Sequence, residues 1–211
     1  MPKITSLDKI KRLKGWYELW LDKAVSFPVN DELILKHMLR IGSLLEPSEI
    51  KSIREQGEYF FLRKKALDAL ARRRLSEKEL RRKLKPVPKS STYIDRLMED
   101  LREHGLVDDL YYAGAVIHTQ IAGGSKSKRY IQNKLYQKGV AKEIAEQAIE
   151  SELAEYDEYE AALRIAVKKY KTVRDLPLLK GKKRIADFLR GRGFGWDIIN
   201  PVLNEIFTEE N

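Results

Sequence analysis

The chain contains three histidines, His37, His104 and His118, and no cysteine. A metal centre draws His, Cys, Asp and Glu together at short, recurring spacings. These histidines lie far apart in sequence and follow no such spacing, so they read as surface or half-buried side chains. Without cysteine there is no thiolate nucleophile, zinc finger or disulfide, and no Ser or Thr sits in a nucleophile elbow. The stretch Gly123-Gly124-Ser125-Lys126-Ser127 lacks the first glycine and the Gly-Lys-Ser/Thr order of a phosphate loop. It reads as a flexible linker between helices. Gly191, Gly193 and Gly195 follow Ile185 and Leu189, whose spacing is helical, so they read as an interhelical turn with left-handed backbone. Asp108-Asp109 is the acidic pair that stands out. Paired carboxylates can bind a metal or work as acid and base. After Gly105-Leu106-Val107 the better reading is a helix that ends at Gly105 and an aspartate that caps the next one. No catalytic site, metal or cofactor is expected.

The remaining candidates are cationic. Lysine and arginine total 41 against 32 acidic residues, a net charge of +9 over 211 residues. Such a balance draws a protein toward polyanions. The charge is clustered: Arg72-Arg73-Arg74 with Lys78, Arg81, Arg82, Lys83 and Lys85, then Lys126, Lys128 and Arg129, then Lys180, Lys182, Lys183 and Arg184. Acidic residues gather instead between Glu143 and Glu160. Each basic run alone fits a solvated helix face, and their recurrence favours a basic stripe. The hydrophobic fraction of 43% is too high for a disordered tail. No apolar run approaches the ~18 residues of a membrane span, and the first residues lack the apolar block of a signal peptide. A cytoplasmic protein with no membrane association is expected.

The elements that must position these cations repeat. Leu80 with Leu84, Ile131 with Leu135, and Ile185 with Leu189 are apolar pairs four residues apart, each in a short basic helix. Gly139 and Gly193 close the second and third of these helices, while Pro86 and Pro88 interrupt the first. A longer amphipathic helix precedes each (Leu62, Ala66, Ala69; Ala113, Val116, Ile117; Leu163, Ala166, Val167) and another follows (Ile94, Leu97, Leu101; Ile144, Ala148; Ile199, Val202, Ile206). The pattern long helix, short basic helix, long helix is thus stated three times, about fifty residues apart. Ser76 with Glu79 and Asp157 with Glu160 read as helix starts, and Pro201 as a residue near the start of the last helix. Residues 1–57 differ. Aromatic and branched runs broken at Lys14-Gly15 and Asp22-Lys23 predict two or three short strands, a helix from Asn30 ending near Gly42, and another helix opening at Pro47. The predicted fold is all-α: three tandem three-helix repeats (58–107, 108–155, 156–211) behind a small N-terminal β-hairpin and helix extension (1–57).

The segment Gly105-Leu106-Val107-Asp108-Asp109-Leu110-Tyr111-Tyr112-Ala113 resembles the signature of the RecX family of regulatory proteins. Arg74 to Leu84, Ile131 to Leu135 with Lys138-Gly139-Val140, and Arg184 to Phe194 resemble further family blocks in the same order. Lys3-Ile4-Thr5 and Tyr17 to Phe27 resemble the longer members. Lys85-Pro86-Val87-Pro88 departs from the glycine turn of the other two repeats. The resemblance implies an elongated, curved, monomeric array that binds RecA in the groove of the RecA–single-stranded DNA filament. There it would restrain filament growth, ATP hydrolysis, strand exchange and coprotease activity, with weak, non-specific affinity for DNA.

The basic stripe and the resemblance meet on the same helices. Arg72, Arg73, Arg81, Arg82, Lys128, Arg129, Lys134, Lys183, Arg184 and Arg190 are the candidate RecA and DNA contacts. Tyr111 and Tyr112 could stack on bases but read better as core residues at a repeat junction. The competing reading is a stand-alone nucleic-acid-binding protein that uses a short basic helix as in a helix-turn-helix.

Overall fold

The computed structural model describes residues 1–208. β1 (Ile4–Lys9), β2 (Trp16–Leu21) and β3 (Val25–Asn30) form an antiparallel sheet in the order β1-β2-β3. Asp22 and Lys23 both take positive φ, 50° and 58°, and the Ala24 N–H closes the turn onto the Leu21 carbonyl at 2.9 Å. This primed geometry matches the twist of paired strands. The N-terminal element takes the larger of the two expected strand counts, because β3 pairs in unbroken register with β2, Leu19 opposite Phe27 and Tyr17 opposite Val29. Buried Leu19, Phe27 and Val29 join Leu33, Leu39, Leu45 and Ile53 in one core.

α1 (Asp31–Lys36) starts where Asn30 Oδ1 accepts the Leu33 N–H at 3.0 Å. It stops well before Gly42: Met38 turns left-handed at φ 47°, and the Leu39 N–H bonds back to the Ile34 carbonyl as its side chain enters the core. α2 (Pro47–Arg72) opens with the Glu46 N–H donating to the Glu49 carboxylate at 3.0 Å. It runs unbroken through residue 57, the expected edge of the extension. Gly57 lets the helix pass close beneath the sheet, since a Cβ there would lie 2.1 Å from the Pro28 carbonyl oxygen of β3.

Three groups of helices follow. The later turns of α2 pack with α3 (Glu77–Leu84) and α4 (Ser90–Glu103). α5 (Asp109–Ala122), α6 (Lys128–Lys138) and α7 (Lys142–Glu152) form the second group, and α8 (Glu158–Tyr170), α9 (Leu178–Arg190) and α10 (Trp196–Thr208) the third. Each surrounds its own apolar cluster. The pairs Leu80/Leu84, Ile131/Leu135 and Ile185/Leu189 are all 1% exposed or less, so the spacing of four residues marks the buried face of each middle helix. The chain divides into two compact units, Met1–Leu75 with Leu80–Val107, and Ser76–Glu79 with the chain from Asp108 onward.

Two local expectations are corrected. α10 begins at Trp196, with the Ile199 N–H on the Gly195 carbonyl at 2.9 Å, so Pro201 lies beyond its first turn and leaves the Asp197 carbonyl without its usual donor. The Gly123–Ser127 stretch is pinned rather than loose. Ser125 and Ser127 are 2% exposed, Arg164 donates to Ser125 Oγ at 2.9 Å, and the Tyr156 hydroxyl donates to the Lys126 carbonyl at 2.9 Å.

Within the second unit the same junction is built twice. Ser76 and Ser127 cap the middle helices α3 and α6, their hydroxyls accepting the Glu79 and Tyr130 N–H at 3.2 and 3.0 Å. The first free amide of each helix is satisfied from the next repeat: Glu77 N–H donates to Asp109 at 2.8 Å, and Lys128 N–H to Glu158 at 2.9 Å. The preceding acids, Asp108 and Asp157, cap α5 and α8 themselves. Each acidic pair therefore serves two helix starts, one on its own helix and one on the neighbouring repeat. The serine end of each helix also rests on the glycine turn of the next middle helix, with Ser76 Oγ donating to the Lys138 carbonyl at 2.6 Å and Ser127 N–H to the Arg192 carbonyl at 3.1 Å. Gly139 and Gly193 have φ of 87° and 88°. Cβ atoms there would come within 2.6 Å of Lys78 and 2.5 Å of Ser127.

Burial pushes the Asp109 carboxyl above the usual aspartate range; the Glu77 N–H opposes this, while the Glu77, Asp108 and Glu79 charges add to it. The folded chain thus holds this proton at pH values where the unfolded chain has released it. Asp109's own contribution to stability therefore falls as pH rises from the usual aspartate value through the raised one. In urea denaturation of the full chain, Asp109→Ala is expected to cost about 1 kcal/mol, the loss of a helix-start acceptor. Asp109→Asn keeps an acceptor, should cost less, and should become relatively more stable against wild type as pH rises through that window. Gly139→Ala, both strained and crowded, should cost about 1–3 kcal/mol.

Candidate functional site

The middle helices present their cations on the side away from their buried pairs. On α3, Arg81 Nη1 meets Asp95 Oδ1 at 2.6 Å, so its charge is compensated. Arg82 is exposed and, among the described residues, meets no carboxylate. On α6, Arg129 is exposed while Lys128 and Lys134 are half-buried; it is the Lys128 amide that Glu158 holds, not its ammonium. On α9, Lys183 and Arg184 are exposed, and Arg190 pairs with Asp187 of its own helix at 3.0 Å. Arg72 and Arg73, at the end of α2, line one cavity. The ten sequence-derived candidates thus include two, Arg81 and Arg190, whose charge is already matched.

The structure adds cations beyond the ten candidates, of which Lys83 and Lys126 figure in the basic clusters of the sequence. Lys11 and Arg12, in the turn between β1 and β2, face the cavity of Arg72 and Arg73, as do Lys65 and Lys83. The signal was present as Lys9, Lys11, Arg12 and Lys14, four cations in six residues. In the second unit, the Arg192 guanidinium stacks 3.6 Å from the Phe188 ring centre, and its Nε is buried without a partner among the described residues. Lys126 lies 4.7 Å from the Tyr130 ring centre, and burial, helped by the Arg192 charge, lowers its pKa.

The two tyrosines divide. Tyr112 is buried at the junction, its hydroxyl donating to Glu79 at 3.0 Å, whereas Tyr111 is 58% exposed and is not the core residue expected. Glu79 also faces Lys138 Nζ at 3.5 Å. Among the histidines, His104 lies by Asp100 and His118 Nε2 by Glu152 at 2.8 Å, while His37 Nε2 is buried without a partner among the described residues. What this surface can do is attract and hold polyanions, through exposed guanidinium and ammonium groups carried on rigid helices. No helix among the described residues is long and apolar enough to cross a membrane.

Comparison with known proteins agrees with this architecture. Residues 108–149 match the family domain described as RecX, second three-helix domain, and residues 155–203 the one described as RecX, third three-helix domain. A regulatory protein RecX of Clostridium acetobutylicum is 32% identical over 211 residues, spanning 99% of this chain and 98% of that protein. One from Staphylococcus aureus is 30% identical over 211 residues, spanning 100% of this chain and 77% of its own. A crystal structure of regulatory protein RecX superposes with a TM-score of 0.66 at 24% identity, covering 96% of this chain and 98% of the other. That of RecX from Lactobacillus salivarius gives 0.62 at 24% identity, over 72% and 97% of the two chains. These structures share the fold.

The ion pairs make a prediction about neighbouring arginines. On the expectation that Arg82 contacts a DNA phosphate, Arg82→Gln should lower the affinity for single-stranded DNA and reduce the slope of log affinity against log salt by about 0.7, the share of one such contact. Arg81→Gln, whose charge Asp95 already balances, should change the slope by less than half as much in the same titration.

Proposed function

From the premise that this chain belongs to the RecX family, we propose that it is a non-enzymatic, cytoplasmic regulator that binds RecA and the RecA–single-stranded DNA filament. As a monomer it lies in the filament groove and restrains growth, with ATP hydrolysis, strand exchange and coprotease activity restrained in consequence. The observation that carries this reading is the match over essentially the whole chain to proteins named regulatory protein RecX, whose length it shares in the Clostridium acetobutylicum case. The charge pattern supports it. Arg82, Arg129, Lys183 and Arg184 stand exposed on the middle helices with no carboxylate partner among the described residues.

Long-range attraction to DNA phosphates and acidic protein surface then brings the chain to the filament, independent of base sequence and weakening as salt rises. The stand-alone helix-turn-helix reading is less well supported. A recognition helix uses its N-terminal residues to reach base edges. Here the N-terminal ends of α3 and α6 are occupied by Asp109 and Glu158 and by the turns at Lys138 and Arg192.

Sedimentation with RecA–single-stranded DNA filaments tests the proposal. The wild-type chain should pellet with filaments at low salt and slow their ATP hydrolysis. Lys183→Glu combined with Arg184→Glu should weaken both effects roughly tenfold, as expected for losing about two ionic contacts. Absence of the wild-type chain from the pellet at low salt, with an unchanged hydrolysis rate, would refute it.

A further inference from the structure

In the first unit, four large apolar side chains stand out of the surface within ten residues of one another. They are Leu35, Met38, Ile41 and Leu44, between 57% and 77% exposed. Single exposed apolar residues are ordinary on a protein surface, whereas a group of them at one place marks an interaction site. Leu33, Leu39 and Leu45 of the same stretch enter the core, so the four form its outward side. They are held firmly. The Gly42 N–H donates to the Ile4 carbonyl at 2.8 Å, the Ile4 N–H to the Ser43 carbonyl at 2.9 Å, and the Leu45 N–H to the Pro2 carbonyl at 3.0 Å. Met38 takes φ 47°, a left-handed position at which glycine or asparagine carries less strain. A long apolar side chain kept there in solvent adds nothing to the core, so the stability of the fold does not account for it.

The charges around this group have one sign. Lys36 and Arg40 are exposed within the segment, and Lys3 lies beside it, its Cε 4.0 Å from where a Cβ on Gly42 would be. Residues 33–45 contain no Asp or Glu. Lys36 Nζ donates to the neutral Gln56 side chain at 3.3 Å, and Arg40 meets no carboxylate among the described residues, so both charges stay uncompensated. That pattern decides between occupants. A second copy of this chain on the patch would bring Lys3, Lys36 and Arg40 against the same three cations. A helix bound in a groove needs walls, and Leu35 and Met38, three-quarters exposed, have none around them. A lipid surface needs no groove: apolar side chains enter the acyl boundary while lysine and arginine stay at anionic headgroups.

We propose that the segment 35–44 is a peripheral lipid contact, which seats the first unit on a membrane surface rich in anionic headgroups. The expectation of no membrane association rested on the lack of a spanning run, which a contact of this depth does not require. The contact needs neither RecA nor nucleic acid, so it goes beyond the filament reading and is tested apart from it.

The test is flotation of the full-length chain with vesicles at about 0.15 M salt, where attraction between distant charges is screened. The wild-type chain should float with vesicles of phosphatidylcholine and phosphatidylglycerol in equal parts, and stay behind with phosphatidylcholine alone. Leu35→Ser with Ile41→Ser should lower vesicle affinity roughly tenfold or more. Lys36→Gln with Arg40→Gln should do likewise, at about fivefold per cation. Leu178→Ser with Leu179→Ser removes two comparably exposed leucines from the second unit and should cost less than threefold. The chain has no native cysteine, so Met38→Cys takes a single environment-sensitive fluorophore, whose emission should move to the blue on vesicle addition. That readout holds even if a serine pair disturbs folding. No flotation of the wild-type chain, or losses in the control pair equal to those in the apolar pair, overturns the proposal. So does flotation without a blue shift, which leaves only the general attraction of a chain of net charge +9 to anionic lipid. Vesicle binding unchanged in Leu35→Ser with Ile41→Ser, while sedimentation with RecA filaments is lost, also overturns it and gives the segment to a protein partner.

Discussion

A helix start leaves backbone amides without partners, and in this chain the next repeat supplies the acceptor. The Glu77 amide on Asp109 and the Lys128 amide on Glu158 are the same bond made at two successive junctions. A helix group of about forty-five residues buries too little apolar surface to be stable alone. Within the second unit, bonds between half-buried polar groups fix register as well as proximity, because a carboxylate must meet a particular amide. The glycines at 139 and 193 belong to the same constraint. Their left-handed backbone ends one helix, and their missing side chains let the serine end of the previous middle helix sit on the turn.

This arrangement also assigns the charges of each middle helix. The amino end of α3 and of α6 is spent on the junction. The carboxyl end and the solvent side remain, and that is where Arg82, Lys134, Lys183 and Arg184 are found. Asp95 and Asp187 remove Arg81 and Arg190 from the pool of free charge. The net excess of +9 thereby includes a smaller set of uncompensated cations on the middle helices, and in the first unit the cations of the cavity at the hairpin turn. Under the proposed function, such cations would answer to phosphate and carboxylate charge rather than to base identity.

Much of this was legible in the sequence because it is periodic. Leu80/Leu84, Ile131/Leu135 and Ile185/Leu189 announced three equivalent helices, and Gly139 and Gly193 their ends. The local pattern around Asp108-Asp109 points to a single cap. Its division between two helices needs knowledge of which amide lies across the junction, and local pattern does not carry it. The same holds for Gly123–Ser127, whose composition suggests looseness while Arg164 and Tyr156, more than twenty residues away, hold it. Tyr111 and Tyr112 are adjacent and alike in type, and only their helical phase separates the exposed ring from the buried one. The basic turn at Lys9–Lys14 was visible as composition, but its convergence with Arg72 and Lys83 is tertiary.

The central claim is that the uncompensated cations of the middle helices face a RecA–DNA filament. Lysine footprinting by acetylation and mass spectrometry, on the free chain and on the chain bound to filaments, tests it most directly. Lys128, Lys134 and Lys183 should lose reactivity on binding, while Lys23, Lys51 and Lys171, outside the middle helices, keep theirs. Unchanged reactivity along α6 and α9, with protection confined to those other lysines, would contradict the account.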